Sequence, residues 1–89
     1  MRIKKGFVLR KLKENHVVVG EGLAQVDFNH IITLNPSAAF LWQEVSDRDF
    51  SVQELADLLV DRYKISPETA LQDASDWAEK LREKGVMEE

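Results

Sequence analysis

The run Ile31-Ile32-Thr33-Leu34-Asn35-Pro36-Ser37-Ala38-Ala39-Phe40-Leu41-Trp42 changes its pattern in the middle. Up to Leu34 it is short, apolar and β-branched, as a strand is. Pro36 removes a ladder donor and so closes that strand, while its fixed φ suits the opening turn of a helix. Beyond it Ala38, Leu41, Trp42 and Val45 fall at i, i+3, i+4 and i+7, one face of a helix. The chain passes from strand to helix at Asn35-Pro36.

Upstream of the junction the sequence reads as strands. Phe7-Val8-Leu9-Arg10-Lys11-Leu12 is a β-favouring run, followed by a polar turn, Lys13-Glu14-Asn15. His16-Val17-Val18-Val19, bounded by Gly20 and Gly22, completes a β-hairpin. Ala24-Gln25-Val26-Asp27-Phe28 alternates apolar and polar residues, and its period does not decide between strand and loop. Residues 31–34 form the third strand.

Downstream the sequence reads as helices. Ser51-Val52-Gln53-Glu54 is a capping box opening a second helix, with Val52, Leu55, Ala56, Leu59 and Tyr63 along one face. Ser66-Pro67-Glu68 opens a third in the same way. Ala70, Ala74, Trp77, Ala78 and Leu81 make its stripe. Lys80, Arg82 and Lys84 complement the negative end of its dipole, and Gly85 supplies a left-handed stop. The order is β-β-β-α-α-α: an α+β fold, antiparallel strands first, in one domain over residues 1–89.

Composition sets the outer limits. With 89 residues, 44% hydrophobic and 31% charged, the chain matches one ordinary globular domain. Such a chain buries only roughly 60% of its unfolded surface, which argues against a deep catalytic cleft. It has no cysteine, hence no disulfide, thiol nucleophile or cysteine metal site, and its two histidines are a poor ligand set. No apolar run approaches the ~20 residues of a membrane span, and the basic start lacks the features of a signal peptide. A cytoplasmic protein without membrane contact is the expectation.

Charge is unevenly distributed. Residues 1–14 hold six basic residues and one acidic, a net of +5, and the rest carries −9. A basic arm suits nucleic acid, but the acidic helices would be repelled by a duplex. No nucleic-acid partner is expected.

Nothing in the sequence assembles catalytic chemistry. Ser51 and Ser66 are better read as helix caps than as nucleophiles, and no Gly-x-Ser-x-Gly turn occurs. His16 and His30 lack metal-ligand spacing. Gly20-Glu21-Gly22 lacks the strand–glycine–helix setting of a phosphate loop. The chain reads as a non-catalytic module needing no metal and no cofactor. A sheet edge is the stronger physical feature. Any open edge presents unpaired N–H and C=O groups, and an extended peptide can add to it as a further strand. If residues 31–34 are that edge, the third helix can wall the site. Trp77 offers apolar surface, Ala74 and Ala78 leave room, and Asp73, Asp76, Lys80 and Lys84 form a rim. A proline at Ile32 would then block the pairing. Leu81 reads better as core than as wall, and Trp77 reads equally well as either.

The stretch from Ile32 to Trp42 resembles the x-L-N-x-T/S-A/G-A-x-I/L-W/L block of the PqqD-like family. Glu54-Leu55-Ala56-Asp57-Leu58-Leu59 is similar to its E-L-x-x-x-L block. Asp73-Ala74-Ser75-Asp76-Trp77-Ala78-Glu79-Lys80-Leu81-Arg82-Glu83-Lys84-Gly85 is similar to its D-V-x-x-F-L-x-x-L-x-x-x-G block. The likeness runs from about Lys4 to Met87. It implies a winged-helix-like recognition element for ribosomally made, post-translationally modified peptides. Such domains hold the leader segment of a precursor peptide against the third strand and third helix, and present it to a modifying enzyme, commonly a radical S-adenosylmethionine protein. Carried onto this sequence, the peptide-binding residues are Ile31, Ile32, Thr33 and Leu34 on the strand. On the helix they are Asp73, Asp76, Trp77, Lys80, Leu81 and Lys84. Ala74, Ala78 and Trp77 depart from the family's Val, Leu and Phe, so the groove and its preferred leader differ from those of pyrroloquinoline quinone systems. Two rival readings remain: a winged-helix DNA-binding regulator, and a structural domain that homodimerises through its sheet edge.

Overall fold

The computed structural model describes residues 1–13, 15–20 and 32–88. Strand β1 covers Arg2–Ile3, β2 Phe7–Leu12, β3 Asn15–Gly20 and β4 Ile32–Leu34. Helices α1, α2 and α3 cover Pro36–Val45, Val52–Tyr63 and Pro67–Glu83, and β5 is Met87–Glu88. Strands β2, β3 and β4 form an antiparallel sheet in that order, and β1 pairs antiparallel with β5 in a second, two-stranded one. The α+β order read from the sequence is observed. The β1–β5 pair was not foreseen. The Ala24–Phe28 segment, His30 and Ile31 lie outside the described residues.

Local chemistry sets the helix limits. The Asn35 side chain caps α1, accepting from the Ala38 N–H at 2.8 Å, with Pro36 in the first turn. Ser51 and Ser66 cap α2 and α3 as expected, accepting from Glu54 and Thr69 N–H groups at 3.1 and 3.2 Å. Arg48 donates to Glu54 at 2.7 Å and holds its carboxyl below the usual glutamate range. Gly85 has φ +75°, the left-handed stop after α3. Helix α2 ends instead on Lys64, left-handed at φ 56° without being a glycine.

The apolar faces converge on one core, with Val18 of the sheet and Leu41, Val45, Leu55 and Leu81 of the helices fully buried. Ala70, Ala74, Trp77, Ala78 and Leu81 all face inward, as their spacing required. Three positions depart from expectation. Tyr63 is 40% exposed, because α2 ends there beyond the core, and its ring packs edge-on against Phe40 at 6.0 Å. Ala74 and Ala78 open no groove. Both are buried in the core, where the small side chain lets neighbouring elements approach closely.

Sheet register decides which backbone groups are open. Leu12 pairs with Asn15 with two residues between them, so this pair exchanges both ladder bonds, and bonded pairs alternate from it: Arg10 with Val17, Val8 with Val19. His16 and Val18 therefore direct their N–H and C=O groups to Leu34 and Ile32 of β4. Thr33, opposite Val17, turns both of its groups away from the sheet. Side chains alternate too: Ile32 and Leu34 are 2% and 3% exposed and enter the core, while Thr33 stands outside.

Candidate functional site

Among the described residues no strand pairs with the outer edge of β4, and that edge adjoins a cleft of about 280 Å³ between the β4–α1 junction and α3. Leu34, Ala38, Leu41, Leu59, Trp77 and Leu81 line it with apolar surface, and Asn35, Ser37, Asp73, Asp76 and Lys80 with polar surface. The β4–α1 junction and α3 run in opposite senses along it. Thr33 meets Lys80, whose Nζ donates to the Thr33 carbonyl at 3.2 Å. Five residues further on, the Ala38 carbonyl accepts from Trp77 Nε1 at 3.1 Å. Asp73 and Asp76 lie beyond Trp77, so the cleft is cationic at the Thr33 end and anionic at the other.

Sequence-assigned residues divide into three groups. Leu34, Asp73, Asp76, Trp77, Lys80 and Leu81 come together around the cleft. Thr33 offers its outward backbone, while the Ile32 side chain belongs to the core. Lys84 is exposed at the C-cap of α3, one turn past Lys80 and outside the lining. Trp77 is only 6% exposed and packs its ring against Phe50 at 5.9 Å, so the cleft receives an edge of it. Its N–H, satisfied by Ala38, fixes that edge in place. Asn35, Ser37, Ala38, Leu41 and Leu59 were not anticipated. Asn35 and Ser37 were within reach of the sequence, since they directly follow the edge strand. Leu59 was not, because its stripe on α2 reads as ordinary core.

The polar atoms of the site are ordered by local bonds. Asn35 Oδ1 accepts from Ser37 Oγ at 3.0 Å as well as from the Ala38 N–H. Gln72 donates to Asp76 at 2.9 Å, one turn along α3. Among the described residues, no group of three or more histidine, cysteine, aspartate or glutamate side chains could hold a metal ion. No described helix is long and apolar enough to cross a membrane. The arrangement offers recognition: two backbone groups pointing outward, an apolar floor and opposed charges.

The sequence model of the family described as coenzyme PQQ synthesis protein D (PqqD) matches residues 8–87. The chain belongs to the PqqD family. The same fold is found in the structure of TbiB1 in complex with the TbiA(beta) leader peptide, at TM-score 0.74 and 17% identity over 99% of this chain and 95% of that one. It is found again in lasso peptide synthetase B1 complexed with the leader peptide, at TM-score 0.69 and 20% identity over 96% and 93%. No curated protein sequence matches the chain. The resemblance drawn from the three sequence blocks is thereby established as family membership.

Proposed function

We propose that this PqqD-family chain is a non-catalytic adaptor that binds the leader segment of a ribosomally made precursor peptide and presents it to a modifying enzyme. The observation that carries the reading is the outward N–H and C=O of Thr33 beside an apolar cleft. An extended segment laid along β4 takes both backbone groups and sends alternate side chains toward α3. TbiB1 and lasso peptide synthetase B1, each seen with a leader peptide, share the fold and support the same use of it.

Magnitudes divide the labour. Two edge bonds are worth a net ~1–3 kcal/mol, whereas a micromolar complex needs about 8 kcal/mol. Side chains in the cleft must supply the larger part. At ~25 cal/mol per Å², burying about 200 Å² of apolar surface contributes ~5 kcal/mol before the cost of ordering the peptide. The backbone sets the register and the cleft chooses the sequence. The modifying enzyme is a radical S-adenosylmethionine protein in this proposal, and the complex works in the cytoplasm.

Calorimetric titration with leader segments of precursors encoded beside the chain tests the reading. Saturable binding in the micromolar range or tighter supports it; no heat with any leader overturns it. A sharper variant is Thr33→Pro, because Ile32 is a core residue and its N–H already serves β3. Proline at Thr33 removes the outward N–H, and an edge strand tolerates it. Binding about three- to tenfold weaker, with an unchanged thermal melt, is expected. Sedimentation of the free chain at several concentrations separates this use of the edge from self-pairing.

A further inference from the structure

The acceptor that an added strand needs on β4 is already engaged. Lys80 Nζ donates to the Thr33 carbonyl across 47 residues of chain. An incoming N–H and the ammonium converge on the same oxygen, so docking loosens or displaces the lysine. A lysine moved off its acceptor at the rim of an apolar cleft gains most from a carboxylate. We propose that Lys80 is a replaceable cap on the open edge, and that the segment displacing it carries an aspartate or glutamate. This rests on the peptide-binding reading and adds the chemistry of the ligand.

Register places that acid. A peptide residue opposite Thr33 points its side chain outward, as Thr33 does, while its two neighbours point with Ile32 and Leu34 toward the helices. The apolar cleft lies on the Leu34 side. The neighbour there is therefore an apolar anchor, and the neighbour on the Ile32 side is the acid, two residues away. Asp73, about two turns before Lys80 on α3, repels a carboxylate shifted along the cleft, which fixes the acid in one register. Before docking, the lysine shields the edge from pairing with another copy, as edge lysines do.

Selection from a phage-displayed library of randomised 12-residue peptides tests the proposal on wild-type chain, Lys80→Glu and Lys80→Met. The wild type is expected to enrich Asp or Glu two residues from an apolar residue. Lys80→Glu is expected to enrich Lys or Arg there, and Lys80→Met to bind the wild-type peptides about three- to tenfold more weakly. An enriched set with no acid at that spacing, or the same acid retained by Lys80→Glu, overturns the proposal. The latter result would mean that the displaced ammonium turns to Asp76 on its own helix. A wild-type selection that enriches nothing removes the peptide-binding reading itself. In the free protein, the Thr33 carbonyl carbon resonance should move in Lys80→Met; no movement also overturns the cap.

Discussion

Trp77 shows how one residue can belong to the core and to the site together. The ring is buried against Phe50, its N–H is bonded to the Ala38 carbonyl, and an edge remains in the cleft wall. Trp77→Phe keeps most of the packing and removes the donor, so about 1–2 kcal/mol of stability should be lost in urea unfolding. Trp77→Ala should cost about 3–5 kcal/mol by opening a cavity. Spacing alone showed that Trp77 faces inward from α3, but a one-dimensional pattern does not distinguish a core wall from a cleft wall. Asp73, Asp76 and Lys80 were legible as a polar rim from the α3 pattern itself, and the family's third block pointed to the same positions. The Thr33–Lys80 bond could not be read at all, because it depends on where two distant elements meet. Nor could the sequence phase the backbone of β4: the pattern marks Ile32 as a strand residue, and only the hairpin register shows that Thr33 is the open one.

Helices were more legible than strands, for a physical reason. Ser51 and Ser66 act on N–H groups three residues away, and the α3 stripe repeats over 17 residues, so both signals are local. The end of α2 left no such mark. Lys64 takes a left-handed conformation at φ 56° with its N–H bonded to the Val60 carbonyl, where the sequence offers no glycine. Its side chain is exposed, so nothing is lost by removing it. Lys64→Gly should stabilise the fold by about 0.5–1 kcal/mol, raising the melting temperature by about 4 °C. A drop in melting temperature would mean that the unfolded chain's added freedom outweighs the relieved strain.

At the scale of the molecule, the two ends of the chain complete the core. Ile3 and Met87 are buried, their strands pair with each other, and Met1 exchanges backbone bonds with Phe50. The sequence concealed this, since two-residue strands have no period and the residues around Ile3 read only as part of a basic arm. Ile3→Ala should destabilise the whole domain by about 2–4 kcal/mol, seen as a single shifted transition in denaturant, although it lies far from the cleft in sequence. Loss of only a local signal from residues 1–5 would show that the clasp is an ornament on an independent core. The geometry of that clasp also sets how the molecule answers to force. Arg2 faces Glu88 and Ile3 faces Met87, so a pull on the two ends loads these pairs one after another rather than together. Held in an optical trap by its termini, the domain should peel open at low tension, the β1–β5 pairs parting in sequence.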